Sequence, residues 1–492
     1  MDLKNIKQNF KYENIVKELN TIFCNIDTEI KQEVEQNLNI KTRNRDLKYT
    51  DTLIYKFLYS IPDTTKLYIV SSQNFKNNTS LSRTAYNYRE NQIPLSFYTE
   101  LYKKISTLYK NLMMIKLNEP IIFACDGTFN NTNSKNEKDI LETSLNMGYY
   151  DITNDLPLEI SLEGCKKKNN ELSIFKKYIN SSNIPKNSIL ILDRAYCSYE
   201  FIDFLIKKQY KFVIRFRNNC KNFNKIKNIN DVRVIKYFDE FENKIPYDKF
   251  EKYIKKSKNK GKYKVINVEN PENIKKLDNY KFKYANIKML YEYTLITNIP
   301  EIDKNDDEIK KIYKQRWDIE IFFKLLKYNF KFEHLKEHNE KHNDEQYRKL
   351  YLINLIVIYL YKIIDKTYFY NNDIKKNKQV IQNNKIIKYV YKSNKSNIIK
   401  GVYNIIDDII KGNILKDNFI KVCNLYVKYS FVKLGEIKER KAKTPFLKWY
   451  VKGHSNRSLM CKFIEAYILK DVSKLNKNTK VLYNICTITL FN

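Results

Sequence analysis

The eight cysteines (24, 125, 165, 197, 220, 423, 461 and 486) include no C-x-x-C pair. This excludes a zinc ribbon and a disulfide framework, and it fits a reducing compartment. MDLKNIKQNF lacks an apolar signal core, and the longest apolar run, LYLINLIVIYLYKII from Leu350, is interrupted and too short to span a bilayer. That run reads as a buried helix, and no membrane partner is expected. No internal repeat occurs. Arginine is scarce as well, with 12 among the 90 basic residues.

The chain does have length and positive charge. Its 492 residues allow two or three domains and a sizeable core. With 90 Lys and Arg against 56 Asp and Glu, the net charge is +34, a surplus that attracts polyanions and makes nucleic acid the leading partner. Lys, Asn, Ile and Tyr all have A/T-rich codons, so part of the Lys excess reflects coding bias and Arg is the more telling cation. At 43% hydrophobic and 14% aromatic residues, the chain is globular despite its charge.

Residues 1–112 carry apolar positions three and four apart, as in NIVKELNTIF and TDTLIYKFLYSI, which predicts an all-helical first domain. From 113 to 365 the pattern becomes α/β. The apolar strands PIIFACD, SLNMGYYD, PLEISLEG, SILILD and KFVIRFR follow one another, with helices ELSIFKKYI and SYEFIDFLIKKQ before the last two. Residues 218–290 read as a β-rich insertion. The strand YTLITNI then leads through acidic DKNDDE, a helix start, into the stretch YKQRWDIEIFFKLLK, residues 313–327. Residues 366–492 are expected to form a helical region with a solvated patch around DIKKNKQVIQNNK, and this region is a candidate for dimerisation.

Within residues 313–327, a helical period puts Tyr313, Arg316, Glu320, Lys324 and Lys327 on one face beside a buried stripe of Ile312, Ile319, Phe323 and Leu326. Trp317 borders that polar face. Asp126 closes the strand PIIFACD and Asp193 closes SILILD. Side chains at strand ends of open α/β sheets project into the crevice where ligands bind. Three carboxylates meeting there repel one another and need a cation, and all-oxygen ligands favour Mg²⁺ or Mn²⁺ over zinc. Two such ions can activate a water or a 3′-OH and stabilise the leaving oxygen of a phosphodiester.

Asp126-Gly127-Thr128, Asp193-Arg194-Ala195-Tyr196, and Tyr313, Arg316, Glu320 and Lys327 at Y-x2-R-x3-E-x6-K spacing resemble the DDE transposases of bacterial insertion sequences, in particular the IS-four family. The resemblance covers about residues 116–365. It implies a ribonuclease-H-like fold, a mixed sheet flanked by helices, with the β-rich insertion before the catalytic Glu. It further implies Asp126, Asp193 and Glu320 as catalytic ligands of two Mg²⁺ or Mn²⁺ ions, and Tyr313, Arg316 and Lys327 as holders of DNA phosphates.

Trp317 is then a candidate to stack on an unpaired base, and Arg194, Arg215 and Arg217 are further candidates for DNA contact. The family often has a helical end-binding domain near the N-terminus. Here TSLSRTAYNYRENQIP is expected to be capped by Thr79 or Ser80 and to expose Arg83, Asn87 and Arg89 as a reader. Cleavage at two ends implies at least a homodimer. The expectation is a cut-and-paste transposase. The alternatives are a domesticated DNA-binding relative and a ribonuclease-H-like nuclease without strand transfer. His334, His338 and His342 recur at four-residue spacing and read as a solvated helix end rather than a zinc site.

Overall fold

The computed structural model describes residues 3–38, 47–62, 66–116, 119–135, 141–163, 171–182, 184–216, 232–246, 263–268, 284–330, 340–372, 377–382, 385–391, 393–427 and 431–433, with a few single positions between them. Two compact units result, one of residues 1–375 and 392–430, the other of 376–391 and 431–492.

The larger unit begins with seven helices: α1 (Leu3–Asn9), α2 (Tyr12–Phe23), α3 (Ile26–Leu38), α4 (Tyr49–Tyr59), α5 (Lys66–Asn77), α6 (Arg83–Gln92) and α7 (Leu95–Leu112). In α2, Ile15, Val16, Leu19 and Phe23 form the buried stripe that the spacing predicts. Ile93 takes an extended conformation before Pro94 and so ends α6, while Pro94 N-caps α7.

A mixed sheet follows. Its strands are β1 (Ile122–Lys135), β2 (Leu141–Asp151), β3 (Leu156–Glu163), β4 (Ile189–Leu192), β5 (Lys211–Arg215), β6 (Arg233–Pro246), β7 (Tyr263–Val268) and β8 (Tyr284–Thr297). The order across the sheet is β3-β2-β1-β4-β5-β8-β6, with β7 also paired to β8. β2 runs antiparallel to both β1 and β3, β1, β4 and β5 are parallel, and β8 runs antiparallel to β5. Each parallel step is bridged by a helix, α8 (Glu171–Ser181) before β4 and α9 (Tyr199–Lys207) before β5.

Alternation along the strands gives the sheet two apolar faces. Phe123, Cys125, Leu190, Leu192, Phe212 and Ile214 pack with α8 and α9. Ile191, Val213 and Leu295 face the other way, onto Ile309, Ile312 and Tyr313. Those last three belong to α10 (Asp306–Lys314), whose start is a capping box between Asn305 and Glu308, as the acidic run suggests.

The single helix expected across 313–327 is two. α10 ends at Lys314 and α11 (Trp317–Asn329) follows, and around the join the N–H groups of Gln315, Arg316 and Asp318 reach back only three residues. The two helices serve different strands: α10 packs on β5, and α11 on β1 and β2.

Leu350–Ile364 lies within α12 (Glu340–Asn371) and is apolar on nearly every side, hence buried. Its Tyr359 hydroxyl donates to the Pro157 carbonyl at 3.1 Å, and its ring meets Tyr102 and Tyr109 of α7 edge-on. α13 (Lys395–Asn404), α14 (Ile406–Ile410) and α15 (Lys416–Val427) return to the N-terminal helices, where the Asn20 amide bonds both the N–H and the carbonyl of Ile414. No described helix is long and apolar enough to cross a membrane.

The smaller unit corrects the expectation of helix throughout 366–492. β9 (Asn377–Gln382), β10 (Lys385–Tyr391) and β11 (Phe431–Lys433) form a three-stranded antiparallel sheet in which Ile381 faces Ile386 and Val380 faces Ile387. Val and Ile favour strands, a propensity that the surrounding Lys and Asn content hides in the sequence.

One position ties the sheet to α11. Gly148 lies opposite Asp126 in the β1–β2 register, and a Cβ added there would stand 2.5 Å from the Phe323 ring. Gly148→Ala should lower stability by about 1–3 kcal/mol through overpacking, and Phe323→Leu in the same chain should recover part of the loss. Thermal melting of the three proteins measures both.

Candidate active site

Strand register brings the two aspartates together. β1 pairs with β4 in parallel from Ile122↔Ile189 to Ala124↔Ile191, and two residues further along lie Asp126 and Asp193. Both fall on the α10 face, because Asp126 alternates in step with Ile122, and Asp193 with Ile191. Asp126 does not end its strand, since β1 continues antiparallel to β2 as far as Lys135. The crevice arises where β4 stops at Leu192 and leaves β1 without its parallel neighbour.

Glu320 comes from the opposite layer, on the first turn of α11. Between the layers stands Arg316. Its guanidinium bonds Glu320 at 2.5 Å and lies 3.8 Å from Asp126, with 14% of its side chain exposed against 25% and 26% for the two acids. Asp193 also acts electrostatically on Arg316, and on Tyr313, whose ring is buried in the core and whose hydroxyl is enclosed beside the same guanidinium.

Burial pushes the Asp126 carboxyl up to about 6. Arg316 and the Gly127 N–H, which donates to Asp126 at 3.0 Å, oppose the shift, while Glu171 and Glu320 add to it. Glu171, on the α8 side of the sheet, is a fourth acid that acts electrostatically on both aspartates. Burial raises its pKa first, Asp193 raises it further, and the Tyr196 hydroxyl opposes both. An acid in the first turn of a helix reads as a partner for the helix dipole, so nothing in the sequence singles Glu171 out.

The donor chemistry, carboxylates only, suits a hard divalent ion. Among the described residues, however, no three His, Cys, Asp or Glu side chains are gathered closely enough to hold one together. The positive charge between Asp126 and Glu320 is Arg316.

Residues 148–355 match the family described as the transposase DDE domain, a span that contains Asp193 and Glu320 and begins past Asp126. Over this span the chain is similar to a transposase DDE domain. A curated relative, described as a transposase for insertion sequence element IS4SA of Synechocystis sp., is 28% identical over 172 residues, covering 33% of this chain and 39% of that protein. The chain therefore matches well under half the length of this relative. Among solved structures, a piggyBac transposase synaptic complex with hairpin DNA is similar at a TM-score of 0.40 and 10% identity, over 83% of this chain and 84% of that one.

Around these acids, the other candidate residues are placed unequally. Lys327 is half-buried two turns beyond Glu320. Trp317 is half exposed, and the Lys324 ammonium lies 4.5 Å from its ring centre, a cation–π contact that keeps the indole at the surface. Arg194 is exposed directly after Asp193, and Arg215 lies 4.5 Å over the Tyr293 ring. Arg217, His334 and His338 fall outside the described residues, and the side chain of His342 is likewise not described.

In the N-terminal helices, Ser82 rather than Thr79 or Ser80 caps α6. Arg83 is exposed as expected. Asn87 is half-buried and accepts from the Tyr55 hydroxyl at 3.3 Å. Arg89 is not exposed: it is 7% accessible, with its guanidinium 3.7 Å over the Tyr49 ring. Tyr88, 54% exposed, occupies the outer face instead.

The raised Asp126 value makes stability depend on pH. The folded chain holds this proton more tightly than the unfolded one, whose carboxyl titrates near 3.8. The resulting stabilisation is complete below about pH 4 and is lost as pH rises through about 6. Without divalent ions, Asp126→Asn should melt close to wild type at pH 4 and be more stable by about 1–3 kcal/mol at pH 7.5. Calorimetric melting across that range measures the difference.

Proposed function

We propose that this chain is a cut-and-paste DNA transposase of the insertion-sequence type, cleaving at transposon ends and joining the freed 3′-OH to target DNA. The observation that carries the reading is the parallel register setting Asp126 beside Asp193 on the face from which α11 brings Glu320. The strand order β3-β2-β1-β4-β5, three strands antiparallel and then two parallel, supports a ribonuclease-H-like fold for residues 113–365, with 218–290 inserted before Glu320.

DDE transposases use divalent metal ions, and Asp126, Asp193 and Glu320 would hold them here, two Mg²⁺ or Mn²⁺ by the chemistry of in-line phosphodiester displacement. When bound, such ions acidify the attacking water or 3′-OH and stabilise the leaving oxygen. The chain's own groups orient the DNA. Arg316, Arg194, Arg215 and Lys327 hold phosphates, Trp317 offers a stacking surface for an unpaired base, and Tyr313 supports Arg316 from within the core. Residues 1–112 form the end-binding domain. There Arg83 on α6 meets DNA, while Asn87 and Arg89 fix the helix against α4. Residues 366–492 contribute to a homodimer that holds two ends.

Glu320→Gln, Asp126→Asn and Asp193→Asn should each lower nicking of an end-bearing DNA in Mg²⁺ by a thousandfold or more while end binding survives, and a double mutant should be little worse than either single. An exposed structural ion pair, by contrast, contributes only about 0–1 kcal/mol. Arg83→Ala should reduce preference for the cognate end over random DNA, whereas Lys327→Ala should impair cleavage with that preference intact. Gel-based nicking and competition binding separate the two classes.

A further inference from the structure

Asp126 and Gly127 alternate across the sheet, so Asp126 faces α10 and Gly127 faces α8. The empty space at Gly127 is taken by Glu171. A Cβ placed on Gly127 would stand 2.5 Å from the Glu171 carboxylate oxygen, so no larger residue fits while that side chain keeps its place. The same carboxylate is stabilised by the hydroxyl of Tyr196, the last residue of the short 3-10 turn Arg194–Tyr196 that follows Asp193. Tyr196 is 1% exposed, and its oxygen lies 3.6 Å from the Cys125 sulfur, next to Asp126.

A phenol has one proton to give, and a carboxylate accepts it more strongly than a thiol does. The Tyr196 hydroxyl therefore donates to Glu171, and the Cys125 thiol donates to Tyr196. Gly127, Glu171, Tyr196 and Cys125 thus link the residue after Asp126, the turn after Asp193 and the residue before Asp126 through one half-buried side chain from a third element.

We infer that Glu171 is a positioning residue for the two catalytic aspartates: by accepting from Tyr196 it locks the turn after Asp193 onto β1 and so sets the Asp126–Asp193 spacing. This rests on the transposase reading of those aspartates. It also relates two short motifs, since the glycine of Asp126-Gly127-Thr128 makes room for the group that the tyrosine of Asp193-Arg194-Ala195-Tyr196 addresses. Outer-layer partners of this kind typically change metal affinity or activity by about 10–100-fold.

The test uses the full chain with four substitutions: Glu171→Ala, Glu171→Gln, Tyr196→Phe and Asp126→Asn. It reads Mn²⁺ affinity by electron paramagnetic resonance without DNA, and kcat and KM for nicking an end-bearing DNA. Glu171→Ala and Tyr196→Phe should each weaken Mn²⁺ binding and lower kcat by about 10–100-fold with KM for DNA unchanged. Glu171→Gln keeps an acceptor oxygen and should stay within about threefold of wild type on both readouts. Tyr196→Phe removes one oxygen and keeps the buried ring, so the comparison survives if Glu171→Ala fails to fold.

Wild-type behaviour of Tyr196→Phe, or Glu171→Gln as impaired as Glu171→Ala, would overturn the inference. Cleavage by Asp126→Asn at the wild-type rate would overturn the transposase reading itself. An inactive Asp126→Asn beside a fully active Tyr196→Phe removes only the role of Glu171.

Discussion

Two carboxylates from opposite layers of the molecule face each other across a crevice, and the guanidinium of Arg316 lies between them. Asp126 on the sheet and Glu320 on α11 are like charges, and the guanidinium offsets their mutual repulsion. Much of the surrounding structure serves to bring that charge there. The helix breaks after Lys314, which lets α10 bury Tyr313 against β5 and lets α11 swing over β1 and β2. The break leaves Arg316 at the join, pointing at the sheet. Gly148 lets α11 approach the sheet closely enough for Arg316 to reach Asp126, because any side chain on that strand position would meet Phe323 first.

The same constraint explains why the candidate catalytic acids were legible in the sequence while their arrangement was not. An Asp after a run such as SILIL marks the end of a strand, and the local pattern suffices to find it. Asp126 carried the same signal, yet its strand runs on to Lys135, because β2 continues to pair with β1 after β4 has ended. Helical periodicity correctly grouped Arg316 with Glu320, four residues apart on one face. It could not reveal the break between the helices, which pack on different strands. Glu171 was invisible for a related reason: its partners Gly127 and Tyr196 come from other elements, and only folding brings them together.

Surface and interior were harder to separate in the N-terminal helices. Arg89 has the spacing of an exposed cation but lies over Tyr49, forty residues earlier in the chain, and the α6 network continues inward through the buried Lys56–Glu90 pair and the Lys56–Gln346 bond to α12. A buried ion pair of this kind is retained only when its hydrogen bonds are supplied. It clamps α6 to the long central helix and leaves Arg83 and Tyr88 facing outward. The hairpin of β9 and β10 was missed because its Lys and Asn content was given more weight than its Val and Ile, the stronger physical signal once a partner strand is available.

If Arg316 is the counter-charge that a divalent ion must replace, its removal should make the site more receptive to metal. Mn²⁺ affinity of the DNA-free chain, measured by electron paramagnetic resonance for wild type and Arg316→Gln, tests this directly. With the guanidinium gone, Asp126 and Glu320 repel each other without compensation, and Mn²⁺ should bind roughly tenfold more tightly, a difference of about 1.4 kcal/mol. Unchanged or weaker Mn²⁺ binding by Arg316→Gln would contradict the account, since Arg316 would then be supporting the acids rather than standing in for the ion.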